Sequence, residues 1–69
     1  MAVIKVLELV GESKTSWEEA AQEAVRQAAK TIRNIRGVEI LNMTGNMNEK
    51  GEIVEFKTNV KIAFRVEDE

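Results

Sequence analysis

The segment EIVEFKTNVKIAFRVED, residues 52–68, alternates in character along its whole length. Val54, Phe56, Thr58, Val60, Ile62, Phe64 and Val66 share one face. Glu55, Lys57, Asn59, Lys61 and Arg65 share the other, interrupted by Ala63. Period-two spacing of this kind marks a strand with one buried face. A strand of about 13 residues is about 43 Å long at 3.3 Å per residue. The chain offers one helical segment of about 18 residues, only about 27 Å long. One helix cannot cover so long an apolar face. Either the sheet curls around the helix or its overhang pairs with another subunit, and unpaired strand edges point the same way.

The rest of the chain supplies a strand, the helix and a second strand before that run. Residues 2–10, AVIKVLELV, form a short apolar segment. Ile4, Val6 and Val10 lie with Glu8 on one face, and Val3, Leu7 and Leu9 with Lys5 on the other. A strand apolar on both faces needs cover on both. One helix supplies one side, and a second subunit supplies the other. The helix lies within ESKTSWEEAAQEAVRQAAKTIRNI, residues 12–35. Ser16 with Glu19 fits a capping box, and so does Thr15 with Glu18 one residue earlier. Glu18 and Glu19 suit the first turn, and Arg33 and Arg36 the last, as the helix dipole favours. Trp17, Ala20, Ala21, Ala24, Val25, Ala28 and Ile32 recur at spacings of three and four, giving one apolar stripe made mostly of alanine. Whatever packs on that stripe comes close. VEILNMTGNM, residues 38–47, is the second strand, with Val38, Ile40 and Asn42 on one face and Leu41, Met43 and Met47 on the other. NEKG at 48–51 is a turn in which Gly51 can take positive φ. The last two strands form a hairpin, and the acidic end VEDE is expected to fray.

Composition narrows the function. Sixty-nine residues make one domain, 1–69. A chain this short buries only about 60% of its unfolded surface and needs further support. It has no Cys for disulfides and neither Cys nor His for zinc, so oligomerisation is the remaining route. Ten basic and twelve acidic residues are mixed along the chain, for a net charge of −2. That balance argues against nucleic acid as a partner. No apolar run approaches the roughly 20 residues of a membrane span, and the apolar start lacks a signal peptide's basic leader and cleavage site. A cytoplasmic protein is expected. Without His, Cys or Tyr the common general bases and nucleophiles are missing, and no phosphate loop or nucleophile elbow is present. An enzyme is not expected.

The order strand, helix, strand, strand and four segments together resemble the dodecin family. These are KVLELVGESKTSWEEAAQEAV at 5–25, AAKTIRNI at 28–35, VEI at 38–40 and NVKIAFRVE at 59–67. The resemblance implies an α+β fold of β-α-β-β subunits. A three-stranded antiparallel sheet wraps one helix, and twelve copies build a hollow shell. It also implies a store for flavins (riboflavin, lumichrome or FMN), held in pairs between subunits. In the family, a tryptophan just after the helix stacks on the flavin, and a glutamine on the third strand holds the ring's polar edge. Those positions fall here on Gly37 and Lys57. Both signature contacts are absent, so the resemblance implies a variant in which flavin binding is weakened or lost. The one tryptophan, Trp17, belongs to the helix stripe and cannot replace the missing one. Glu39, Asn42 and Asn59 are expected at the pocket rim. Gly37 reads either as a plain helix C-cap or β-entry glycine, or as an opened pocket that admits a different ligand. Lys57 reads either as a solvated or interface lysine, or as a contact to a phosphorylated one. Some dodecin-like proteins bind calcium, which takes six to eight oxygens at about 2.4 Å. Glu12, Glu39, Glu49, Glu52 and Asp68 are the candidate donors, to be gathered across subunits. The alternative function is therefore a structural or cation-binding assembly with no organic ligand. Lys5, Lys61 and Arg65 are expected in salt bridges between subunits.

Overall fold

A computed structural model describes residues 3–66. Strand β1 (Ile4–Ser13), helix α1 (Trp17–Ala28), strand β2 (Ile35–Met47) and strand β3 (Ile53–Arg65) follow one another. The strands form one antiparallel sheet in the order β1-β3-β2. The long alternating segment is thus the central strand, paired on both sides.

The helix starts where its first turn is best capped. Ser16 is the N-cap, in extended backbone, and its hydroxyl accepts from the Glu19 amide at 3.0 Å. The Thr15 alternative is not used; Thr15 instead bonds to Ser13. The helix ends at Ala28, well short of the expected end near residue 35. The amides of Lys30 and Thr31 bond three residues back, to Gln27 and Ala28, which tightens the last turn. β-Branched Thr31 and Ile32 are weak helix formers. Asn34 then takes the left-handed conformation with φ 63°, and the chain turns into β2. Ile32 and Ile35 flank this turn and pack on the core, so tertiary burial draws the chain off the helix axis. Gly37 is therefore not a helix cap but the third residue of β2.

The alanine stripe does bring the helix close. Ala20, Ala24 and Ala28 are buried, and Ala24 and Ala28 cluster with Val60 and Ile62. At Gly11 the approach is closest: a Cβ there would stand 1.9 Å from the Ala20 carbonyl oxygen. Glycine keeps β1 extended under the helix, and the strand runs on to Ser13 instead of stopping near residue 10. The Thr58 hydroxyl, fully buried, donates to the Trp17 carbonyl at 2.8 Å. The Trp17 indole meets the Phe56 ring edge-on at 4.9 Å and donates to the Thr44 carbonyl at 2.7 Å, tying the helix start to β2.

The hairpin turn is held by Asn48, whose side-chain oxygen accepts from Lys50 and Glu52 amides. Gly51 takes φ 81°, as its place in the turn requires. β2 carries a bulge between Ile40 and Asn42. The bulge changes the face of everything after it: Met43 joins Val38 and Ile40 on the helix side, and Asn42 moves to the opposite side. Simple alternation had placed Asn42 with Val38 and Ile40.

The subunit is long and thin, 54 × 20 × 12 Å, with a radius of gyration of 14.3 Å. A compact domain of this length has a radius near 11 Å. Its accessible surface is 5291 Å², where a compact monomer exposes about 4400 Å².

Candidate functional site: the outer face of the sheet

β3 residues with odd numbers point away from the helix, and the register shows what stands beside them. Ala63 lies between Val6 and Gly37, Lys61 between Glu8 and Glu39, Asn59 between Val10 and Asn42, and Lys57 between Glu12 and Thr44. Gly37, Glu39, Asn42, Lys57 and Asn59 thus occupy one face, in one file along β2 and β3. Sequence alternation had reached this for Lys57 and Asn59, and the bulge brings Asn42 to them.

The file does not close into one pocket. Gly37 and Glu39 line a concavity of about 420 Å³ with Val6, Val38, Lys61 and Ala63. Nothing lies within 4 Å of where a Gly37 Cβ would stand. The floor is apolar at Val6 and Ala63, and one rim carries the opposed charges of Lys61 and Glu39. Lys57 is six residues from Ala63 along β3, about 20 Å at the strand rise. It lines a different concavity, of about 340 Å³, between β1 and α1, with Leu9, Gly11, Glu12, Glu23, Ala24 and Gln27 among its walls. Its ammonium stands 3.9 Å from the Glu12 carboxylate. One subunit therefore does not unite Gly37 and Lys57. Between them, Asn59 has a side-chain oxygen with neither solvent access nor a hydrogen-bond partner. Val6, Lys61 and Ala63 were not among the expected lining residues. The signal was present in the alternation itself, which set Lys61 and Ala63 on the Lys57 face.

No aromatic ring lines the Gly37 concavity. Trp17 and Phe56 face each other, and Phe64 lies on the helix side, paired with Lys5 and Ile35. The carboxylates expected to gather a cation are dispersed. Glu12 faces Lys57, and Glu52 accepts from the Asn48 side chain at the turn. Glu39 lies four β3 residues from the level of Glu12, about 13 Å. Asp68 lies outside the described residues, and among those residues no group of three acidic side chains could hold an ion. Lys5, Lys61 and Arg65 make no ion pair among the described residues. The charges on the outside of α1 do pair: Arg26 bridges Glu19 at 3.2 Å and also binds Glu23. The Gln27 amide, donating to Glu23, lowers that carboxyl's pKa, helped by Arg26 and Lys30 against partial desolvation. The same network raises the pKa of Arg26, the Glu19 hydrogen bond foremost.

An open β-α-β-β unit, with one helix on a long three-stranded antiparallel sheet and polar positions strung along the bare face, is the architecture of the dodecins. The dodecin family model matches residues 3–67, and the chain belongs to that family. It is 35% identical over 66 residues to the dodecin of Thermus thermophilus, covering 96% of this chain and 94% of that one. It is 32% identical over 66 residues to the calcium dodecin of Mycobacterium tuberculosis, covering 96% and 92%. A solved tryptophan-to-phenylalanine variant of the Thermus protein superposes with a TM-score of 0.92 at 34% identity, over 99% of this chain and 100% of that one. The crystal structure of the Mycobacterium calcium dodecin, which has a calcium-binding site, gives 0.81 at 31% identity over 94% and 91%. The β-α-β-β fold expected from the sequence is the fold observed, and no helix among the described residues is long and apolar enough to cross a membrane.

Proposed function

We propose that the protein is a non-enzymatic cytoplasmic binding protein, assembled as a homododecameric shell, that holds a small planar or phosphorylated ligand between subunits and binds flavin weakly. One observation carries this reading: Gly37, which the resemblance sets where dodecins place their stacking indole, opens into an apolar-floored concavity with no ring among its lining residues. Stacking on an aromatic ring contributes about 1–3 kcal/mol per contact, by analogy with nucleobases. A pair of such contacts is missing, so the affinity for riboflavin, lumichrome or FMN falls by orders of magnitude. The open volume suits a ligand with its own bulk, positioned by Lys61 and Glu39 at the rim. The distance between Gly37 and Lys57 supports a site completed by another copy. If Lys57 reaches it, it favours an anionic group where the family glutamine would meet a neutral ring edge.

Calcium, which the Mycobacterium relative binds, fits this subunit poorly, because its carboxylates are dispersed among the described residues. A calcium site would have to be built wholly between copies. Fluorescence titration of riboflavin, lumichrome and FMN with the purified assembly tests the reading. Little quenching up to high micromolar protein is the expected result. Strong quenching below one micromolar overturns it. A parallel melt with calcium and with chelator tests the cation alternative, and an unchanged midpoint is expected.

A further inference from the structure

Two neighbouring cross-strand rows on the outer face differ sharply in chemistry. Val6–Ala63–Gly37 is apolar, and Glu8–Lys61–Glu39 is charged throughout. Lys61 stands in register between the two glutamates. Even so, none of the three makes an ion pair or a hydrogen bond among the described residues. All three are exposed. Their row borders the concavity of about 420 Å³, which Lys61 and Glu39 line.

The apolar row sets the shape of what fits. Ala63 and Gly37 have the smallest side chains, and nothing lies within 4 Å of a Gly37 Cβ. A flat ring can therefore rest on the sheet itself, with Val6 at one end. The charged row is two residues along β3, about 7 Å away, so it meets the edge of such a ring and not its face.

The charged row sets the chemistry of that edge. Carboxylates only accept and an ammonium only donates, so the row reads acceptor, donor, acceptor from β1 to β2. Its complement is an edge that reads donor, acceptor, donor. The polar edge of a flavin has the opposite order: oxygen, N–H, oxygen. Each flavin oxygen would face a carboxylate, and its N–H would face the Lys61 ammonium. Two carboxylates against one ammonium also leave the row with one net negative charge. A phosphate on Lys61 would stand beside two like charges, which repel it.

We infer that the Gly37 concavity takes a planar nitrogen heterocycle, neutral or with one positive charge, whose edge presents a ring nitrogen between two amino groups, as a 2,4-diaminopyrimidine does. The ring lies on Val6, Ala63 and Gly37. Lys61 donates to the ring nitrogen, and Glu8 and Glu39 accept from the amino groups on either side. Strands about 4.8 Å apart put these long, rotatable side chains within reach of one ring. The inference rests on the binding role proposed above and names the ligand class at its Gly37 end.

Equilibrium dialysis of two pteridines against the purified assembly tests it. 2,4-Diaminopteridine presents the donor, acceptor, donor edge. Lumazine, the dioxo analogue with the same ring, presents the flavin order. The diamino compound is expected to bind at least about tenfold more tightly, the discrimination that one hydrogen bond to a charged group supplies. Glu8→Gln and Glu39→Gln are each expected to weaken it about fivefold, as loss of one exposed charge contact does. Glu18→Gln removes the same charge from the first turn of α1 and is expected to leave it unchanged. The inference is overturned if the two pteridines bind equally, if lumazine binds more tightly, if the diamino compound does not bind, or if Glu18→Gln weakens it as much as the other two changes. Riboflavin dialysed alongside separates this inference from the reading it rests on. Weak riboflavin binding with no binding of the diamino compound overturns the inference alone, whereas sub-micromolar riboflavin binding overturns both.

Discussion

Gly11→Ala is the sharpest test of how the helix is seated. The added methyl would stand 1.9 Å from the Ala20 carbonyl oxygen, 2.9 Å from its carbon and 3.1 Å from the Ala24 Cβ. Non-bonded heavy atoms rest at about 3.5 Å, so helix and strand must separate by about 1.5 Å. Two of the three obstructing atoms are backbone, which cannot rotate away. The separation would also lift Ala24 from Val60 and Ile62, the centre of a small core. Overpacking costs about 1–3 kcal/mol, and rigid obstruction places this case at the upper end. About 3 kcal/mol lowers the melting midpoint of a domain this size by roughly 15 °C. The assay is a thermal melt followed by circular dichroism at fixed protein concentration and pH, since assembly ties the midpoint to concentration. Gly37→Ala is the control. It meets no atom within 4 Å, and alanine is favoured over glycine within a strand by about 0.5 kcal/mol or more. Its midpoint should stay level or rise slightly. A Gly11→Ala midpoint within 3 °C of wild type would refute the close seating of α1 on β1.

Ser16→Ala removes the acceptor for the Glu19 amide and should cost about 1 kcal/mol, read in the same melt. Trp17→Phe loses the hydrogen bond to the Thr44 carbonyl but keeps a ring against Phe56; a loss of about 1 kcal/mol is expected, and an unchanged midpoint would show that the bond is not formed. Gly37→Trp restores an indole where there is room for one, and should tighten riboflavin binding about 5- to 150-fold, the equivalent of 1–3 kcal/mol, by fluorescence quenching. Glu23 has a lowered pKa when folded, so its network stabilises the protein above the ordinary carboxylate range. That contribution fades as pH falls through the lowered value, and Glu23→Gln should flatten the acid side of a stability–pH curve measured by denaturant titration.

The elements that sequence foretold are those in which local pattern and burial agree. β3 is central, so both neighbours enforce its alternation, and its even residues are the buried ones. The Ser16–Glu19 spacing marked the helix start because capping is settled within four residues. The helix end was misjudged because nothing local forbids AAKTIRNI from staying helical. Weak helix formers at Thr31 and Ile32 leave it open, and the packing of Ile32 and Ile35 on the core draws the chain off the helix. The faces of β2 were misjudged after Ile40 for a related reason: a bulge adds one residue without a glycine or proline to announce it.

The site was legible position by position and illegible as a whole. Gly37, Glu39, Asn42, Asn59 and Lys57 do share a face, because side-chain period and cross-strand register both follow from backbone geometry. Their convergence does not follow. Six strand residues separate the level of Gly37 from Lys57, and no rotamer spans about 20 Å. A pocket that uses both must take them from different copies. Within one chain, the strips of Val38, Ile40 and Met43 and of Ile4, Val6 and Val10 simply stand exposed. Those strips look, within one chain, like errors of patterning. Under the proposed assembly the distance between one copy's Gly37 and another copy's Lys57 is set by packing between copies, which no pattern within one chain encodes.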